Sequence, residues 1–351
     1  MALLTVKNVR VSGIAGCVPT KSEENWGHKV FESVEDSEKF ISSTGVERRR
    51  IAGDQVTTSD LCFHAAEKII SELNWDRESI DCLIFVTQTP DYILPATSCI
   101  LQNRLQLSEE CYTLDVSLGC SGWVYGMSVI ANLLSNGDMK RGLLFCGDTT
   151  LKHVSKIDKS AYPLFGDAGT ATALEYSENQ VMKFHLATDG SGYDAIIIPD
   201  GGYRNPFTEA SLVFEQIEPG ISRNKLQTIL NGMDVFSFGI SKAPQSVNKL
   251  LAYSDVSTEE VDYFTFHQAN LFMNEKIRKK LKLSPEKVLY SLKNFGNTSS
   301  ASIPMTMVTE QKDDLRTKKL KHIACGFGVG LSWGSVYFET DSIVVPELVE
   351  I

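Results

Sequence analysis

The chain has 351 residues, 42% of them hydrophobic and 22% charged, with a formal net charge of −10. This is a globular composition, long enough for two domains, and its negative balance argues against a nucleic-acid binder. No apolar run approaches a membrane span and no export signal opens the chain, so the eight cysteines are expected as reduced thiols in a cytoplasmic protein that neither enters nor anchors to a membrane.

Residues 1–20 read as an apolar strand and a loop, and 21–50 as partly helical, ending in Arg48-Arg49-Arg50. That arginine run could be a solvated face, a dimer contact or a phosphate contact, and the first is favoured. Ser59 to Leu73 has the spacing of an amphipathic helix, with Leu61, Ala65, Ile69 and Ile70 on one side. Asp81 to Thr87 is a continuous apolar strand of the buried kind, and Ala96 to Leu105 reads as helix. A strand from Cys111 to Val116 reaches a Gly-Cys-Ser-Gly turn. Trp123, Val124, Met127, Ile130, Ala131, Leu133 and Leu134 then recur at helical spacing. Cys120 is therefore expected at the N-terminus of a buried helix, where free N–H groups and the helix dipole favour a thiolate. The competing reading is a small core hydrophobe, which also fits the other seven cysteines. With no close Cys-x-x-Cys pair, no metal site is expected.

Gly142 to Gly147 is another buried strand, and Phe165-Gly166-Asp167-Ala168-Gly169 turns into a further one. From 190 to 235 the chain changes to loop chemistry, the pattern of an insertion or lid. Alternation then resumes, with a helix from about Val235 to Ala252 and a strand from Val261 to Phe266 ending at His267-Gln268-Ala269-Asn270. A basic helix follows, then a helix opened by Asn294 to Ser302, and strands at Lys321 to Cys325 and Ser335 to Glu339. Such alternation indicates an α/β layered fold.

Three pairs recur at near-equal offsets. Asp81 and Asp262 open similar strands 181 residues apart, Gly119-Cys120 and Gly296-Asn297 lie 177 apart, and Phe145-Cys146-Gly147 and Ala324-Cys325-Gly326 lie 179 apart. Two duplicated halves would explain all three. Packed about a pseudo-twofold axis, they would bring Cys120, Asn297 and His267 to one crevice. A thiolate nucleophile, a histidine beside it to lower its pKa or donate a hydrogen bond, and an amide donor to an oxyanion then make a plausible acyl-transfer site. Gly326-Phe327-Gly328-Val329-Gly330 lacks the dinucleotide-binding spacing and leads into a strand, so it is read as a tight turn, with or without an N–H aimed at the site.

Leu118-Gly119-Cys120-Ser121-Gly122, His267-Gln268-Ala269-Asn270, the block from Gly296 to Pro304 and the block from Gly326 to Ser335 resemble the signatures of the β-ketoacyl-acyl carrier protein synthase III family. Thr44-Gly45-Val46 and Phe165 to Gly169 support this, and the resemblance runs from about residue 10 to 340. It implies a thiolase-like layered α-β-α-β-α fold made of two duplicated halves, 1–178 and 179–351, with an inserted cap at about 197–230. It implies that Cys120, His267 and Asn297 are catalytic, with the N–H groups of Cys120 and Val329 as the acyl oxyanion hole. Cys120 would take an acyl group from a thioester. Decarboxylation of a malonyl thioester on an acyl carrier protein would then supply the carbanion that attacks it. No cofactor is called for beyond acyl-coenzyme A or carrier-protein thioesters, and a homodimer is expected.

Positions implied around the substrate are Phe40, Leu94, Met233, Phe236 and Asn270, and those implied at a carrier-protein dock are Arg278, Lys279 and Lys280. Several depart from the family pattern. Phe40 and Ser43 stand where a Trp and an Arg usually hold coenzyme A, Phe272 stands for an Arg, and Met233 stands for an Asn. The alternatives left open are a non-decarboxylating acyltransferase of the same fold, a non-catalytic partner subunit and, more distantly, a cysteine hydrolase.

Overall fold

Among the residues described in the computed structural model, 2–351, nine strands join one hydrogen-bonded sheet. They are β1 (Ala2–Val18), β2 (Cys82–Val86), β3 (Tyr112–Val116), β4 (Arg141–Asp148), β5 (Ala168–Thr188), β6 (Tyr263–Phe266), β7 (Lys319–Gly328), β8 (Ser332–Asp341) and β9 (Val349–Glu350). Met1, the first residue of the expected opening strand, lies outside the described residues. The order is β6-β7-β8-β5-β4-β2-β3, with β1 lying along β5 and β9. The first part of β5 pairs with β4 and its last part with β8, while β1 follows its whole length. These two long strands therefore run through two lobes, and the 178/179 division falls inside β5.

The lobes repeat one pairing scheme. β2 and β4 are parallel, as are β6 and β7; β4 then turns antiparallel to β5, and β7 to β8. The aspartates ahead of β2 and β6 do the same work in each lobe. Asp81 Oδ2 accepts from the N–H of Arg141 at 3.0 Å, and Asp262 Oδ2 accepts from the N–H of Lys321 at 2.7 Å. Each carboxylate thus sets the register of a parallel pair that no hairpin could set.

The helices are α1 (Val34–Thr44), α2 (Thr58–Leu73), α3 (Thr97–Arg104), α4 (Gly122–Leu134), α5 (Gly232–Ser254), α6 (Leu271–Lys280), α7 (Leu292–Phe295), α8 (Ser302–Glu310) and α9 (Lys312–Thr317). None is long and apolar enough to cross a membrane. α2 begins with a Thr57/Asp60 capping box and buries Leu61, Ala65, Ile69 and Ile70 against Leu83, Phe85, Leu143 and Phe145. α5 and α6 cover Phe264, Phe266, Cys325 and Phe327 on the far side of the other lobe. α4 and α8 lie between the lobes, where Trp123, Met127 and Ile130 share a core with Ile303, Met307, Val336 and Phe338. The result is the expected α-β-α-β-α stack. A helix apolar on most faces, as α4 is, belongs in its central layer.

Residues 197–230 carry little regular structure. Ile196–Ile197 pair with Ile229–Leu230, and Glu215–Glu218 with Ile221–Arg223. The segment is tied to the 153–155 stretch by the Thr228 N–H donating to His153 O at 2.9 Å and Ser155 Oγ donating to Ser222 O at 2.6 Å.

Two sequence expectations change. The arginine run is not one solvated face: Arg49 is fully buried, donating to Asn25 Oδ1 and Tyr162 O with its guanidinium over the Tyr162 ring. Of the seven cysteines read as core filler, Cys99 is exposed, because α3 turns it outward beside Thr113.

Candidate active site

Cys120 follows β3 and precedes Ser121, the N-cap of α4. The elbow is tight. The Gly122 N–H donates to Gly119 O at 2.7 Å, and a Cβ at Gly328 would stand 2.8 Å from the Cys120 sulfur. Only a strand residue without a side chain allows β7 to pass so close. Ser121 Oγ is 2.7 Å from Ser332 Oγ, which donates to Val329 O at 2.8 Å. This chain of hydroxyls fixes the 329 turn against the elbow. The backbone N–H groups of Val329 and Cys120 both favour the charged form of the Cys120 sulfur.

His267 ends the extension of β6, its N–H donating to Cys325 O at 2.9 Å. Its Nδ1 lies 2.8 Å from Ser302 Oγ, and its ring meets Phe327 edge-on at 5.5 Å. Asn297 is held by the 164–166 segment: its N–H donates to Leu164 O at 2.9 Å and its C=O accepts from Gly166 N–H at 3.1 Å. Gly296 before it has φ 64° and ψ −155°, a region that only glycine adopts readily. Asn297 Oδ1 accepts from Ser299 N–H at 2.9 Å, which leaves the amide NH2 as its free donor.

Cys120, His267 and Asn297 line one cavity of about 390 Å³, roofed by Ile196, Ile197 and Leu230 of the 196–230 segment. Its electrostatics differ from the sequence expectation. Burial and the nearby Asp148 carboxyl push the Cys120 thiol up to about 12, against the opposing N–H groups and Ser299. Burial holds His267 down at about 3, so it is a neutral imidazole and not a cation lowering the thiol pKa. Cys120 also sits ahead of α4's first turn, where the helix dipole alone does not make a thiolate.

The expected substrate residues divide. Asn270 lines the cavity and also caps α6, its Oδ1 accepting from Met273 N–H at 2.8 Å. Phe40, Leu94, Met233 and Phe236 do not line it. Phe40 packs on Phe31, Phe236 stacks on Phe272 at 5.5 Å, and Leu94 and Met233 are 75% and 74% exposed. Gly232 and Val235, three residues apart on one face of α5, line it instead. Arg278 is not free for docking: its guanidinium grips Glu275 at 2.8 Å and donates to Leu283 O at 2.6 Å. Lys280 Nζ donates to Ile240 O at 3.1 Å, while Lys279 is 68% exposed. Sequence reasoning missed Asp148, Ser299, His153 and Gln88, all of which line the cavity. Ser299 lay inside a quoted motif, and the other three carried no local signal.

Family models match two stretches: 3-oxoacyl-[acyl-carrier-protein (ACP)] synthase III over residues 114–190, and the C-terminal part of the same family over 251–340. The chain is 32% identical to the β-ketoacyl-[acyl-carrier-protein] synthase III of Clostridium acetobutylicum, over 94% of this chain and 98% of that one. It is also 32% identical to that of Clostridioides difficile, over 93% and 96%. Among solved structures, a 3-oxoacyl-(acyl-carrier protein) synthase from Burkholderia xenovorans LB400 superposes with a TM-score of 0.93 at 37% identity, covering 99% of both chains.

Proposed function

The chain belongs to the 3-oxoacyl-[acyl-carrier-protein] synthase III family of condensing enzymes, and from that premise we propose how its residues divide the reaction. Cys120 is the nucleophile that accepts an acyl group from a coenzyme A or carrier-protein thioester. The observation that carries this is that Cys120 lines one cavity with His267 and Asn297, beside backbone N–H groups of its own and of Val329 that favour its thiolate. Those of Cys120 and Val329 then serve the carbonyl oxygen once the acyl group is on the sulfur. Malonyl-acyl carrier protein enters next. Loss of carbon dioxide leaves an enolate, whose oxygen takes hydrogen bonds from His267 and the Asn297 amide. A neutral imidazole suits this role, since Nδ1 faces Ser302 and the other nitrogen is left to donate. The carbanion attacks the acyl-Cys120 and releases a β-ketoacyl thioester, in fatty-acid or related acyl biosynthesis.

The exposed Lys279 supports steering of an acidic carrier protein toward the entrance. A homodimer is part of the proposal. β3 is an edge strand with Tyr112 and Leu114 exposed, and the nearby Tyr92, Ile93 and Leu94 are at least 62% exposed. A cytoplasmic location is also part of the proposal, supported by eight cysteines that are all unpaired.

The test is intact-protein mass spectrometry after incubation with a panel of acyl-coenzyme A and acyl-carrier-protein thioesters. The acyl mass is expected on the wild type and not on Cys120→Ala, with carbon dioxide and a β-ketoacyl product appearing once malonyl-acyl carrier protein is added. No mass gain from any donor on folded protein would remove the first step.

A further inference from the structure

The cavity around Cys120 is not uniformly apolar. Leu164, Phe165, Ile196, Ile197 and Leu230 line part of it, a surface suited to an alkyl chain. Thr150 and His153 line it too, from the turn after β4, and so does Thr228 from the 197–230 segment. The two segments are tied together: Thr228 N–H donates to His153 O at 2.9 Å, and Thr228 Oγ1 lies 2.7 Å from His153 Nδ1. That tie accounts for one ring nitrogen. No protein group among the described residues bonds the other, Nε2, nor is it enclosed by protein. Thr150 shows the same feature. Its neighbour Thr149 has its hydroxyl 3.2 Å from that of Thr58, whereas Thr150 is 6% exposed and its Oγ1 has no partner among the described residues. Thr150 and His153 are the first and last residues of one 3-10 turn, in which residues three apart stack on the same face. Their polar ends therefore stand on one side of the turn.

Packing alone does not require these groups. Valine would fill the place of Thr150 with the same shape and no buried hydroxyl. Water can satisfy both groups while the site is empty. A saturated acyl chain that displaces the water leaves Thr150 Oγ1 and His153 Nε2 unpaired, which costs more than the hydrogen bonds themselves are worth. The cavity also selects against charge. No Lys or Arg lines it among the described residues, and the carboxyl of Asp148, 1% exposed, does. A carboxylate on the acyl chain would find no counter-charge there. Burial lowers the pKa of His153, so its imidazole is neutral at pH 7. A hydroxyl and a neutral imidazole nitrogen can each pair with a group that both donates and accepts, and an alcohol is such a group.

We propose that the enzyme selects acyl groups that carry a hydroxyl on the chain, read by Thr150 and His153, with Thr228 holding the imidazole in position. The inference rests on Cys120 being the acylated residue. The apolar lining takes the methylenes, and the hydroxyl takes the hydrogen bonds that the protein leaves open. Loading itself is the same exchange of thiols: the Cys120 sulfur bonds to the acyl carbon, the carrier thiol leaves with the proton, and the hydroxyl keeps its bonds. The condensed product would then retain that hydroxyl beyond its new keto group.

The test is competitive loading of the full chain, read by intact mass on Cys120. Hydroxybutyryl and hydroxyhexanoyl thioesters, with the hydroxyl at each chain carbon in turn, are each mixed with the unsubstituted parent, on coenzyme A and on acyl carrier protein. Succinyl thioesters supply the charged comparison. At least one hydroxyacyl isomer is expected to load about 100-fold faster than its parent, about tenfold for each hydrogen bond. Thr150→Val and His153→Leu should each cut that preference about tenfold, and Thr228→Val should cut it too by freeing the imidazole. A wild type that loads every parent as fast as its hydroxyacyl counterparts, or that prefers the succinyl group, would overturn the inference. So would variants that slow parent and hydroxyacyl by the same factor, since the three residues would then only support the fold. If His153→Leu does not fold, Thr150→Val decides, because it removes a hydroxyl that no protein group uses. Failure of the functional reading looks different: no acyl mass of any kind appears on Cys120 from either carrier, and the inference falls with it.

Discussion

At the scale of single residues, the proposed mechanism divides the cavity between two chemistries that share one nucleophile. It assigns His267 and Asn297 as donors to charge that develops only in condensation, so removing either is expected to spare loading. His267→Ala and Asn297→Ala should each lower carbon dioxide release from malonyl-acyl carrier protein by about 100-fold or more, while the acyl mass on Cys120 still appears. Equal loss of both steps would assign these residues to loading instead. His322 offers a test of burial away from the site. It lies buried against Phe338 with ring centroids 4.9 Å apart, its Nε2 2.9 Å from Thr340 Oγ1, and burial holds it at about 3. The folded protein thus binds a proton there less readily than the unfolded chain. Above about pH 6.5 both states leave it neutral and nothing is lost. Below that, the unfolded chain takes up the proton and stability falls by about 1.4 kcal/mol per pH unit until pH approaches 3. His322→Gln, which cannot ionise, should therefore gain on wild type as pH drops from 6.5 to 4.5. The difference between their melting temperatures is the measurement, and a difference independent of pH would place the histidine outside this linkage.

Elements meet at the site through glycines, and two of them carry separate consequences. At Gly328 an added Cβ would stand 2.6 Å from the Cys120 Cβ, so either β7 or the elbow must shift. Gly328→Ala is expected to fold, with a cost of about 1–3 kcal/mol, and to lose most loading activity because the Val329 N–H moves with the strand. At Gly296 the problem is conformational as well as steric: a Cβ would meet Leu164 O at 2.6 Å, on a backbone that other residues avoid. Gly296→Ala should cost about 2–3 kcal/mol and displace Asn297, so thermal melting and condensation are expected to fall together while loading is retained. Arg49 shows the same coupling between elements from the polar side. It sits in a strand-like triplet, yet its guanidinium bridges Asn25 Oδ1 and Tyr162 O and is covered by the Tyr162 ring.

For the whole molecule, the open edge at β3 is the feature that a monomer leaves exposed. A strand with Tyr112 and Leu114 turned outward, beside the apolar 92–94 loop, is a liability unless another surface covers it. If a second copy does so, Ile93→Asp combined with Leu114→Arg should change the mass in light scattering from twice the 38.9 kDa chain to one. An unchanged mass would move the interface elsewhere. The two lobes are hydrogen-bonded into one sheet through β1 and β5, and α4 and α8 share a core between them. The lobes are therefore expected to unfold together.

Much of the fold was legible because its signals are local. Helical spacing placed α2, α4 and α5 within a few residues, apolar runs placed β2 and β4, and near-equal offsets pointed to the duplication that Asp81 and Asp262 reflect in matching bonds. Cys120, His267 and Asn297 stood out because each lies in a short motif whose residue types suit acyl transfer. The state of those groups was not legible. A thiol raised to about 12, a histidine lowered to about 3, a buried Arg49 and an Arg278 tied to Glu275 all depend on what other segments bring within a few ångströms. Asp148 entered the site the same way, as an ordinary residue at a strand end until the Ser299–Ser300 turn closed over it. The sequence by itself determined most of the elements and singled out Cys120 as the candidate nucleophile, since these rest on periodicity, covalent neighbours and short motifs. Only the tertiary structure decided solvation, charge state and which polar groups share the cavity, because desolvation and Coulomb forces act between atoms that are close in space and far apart in the chain.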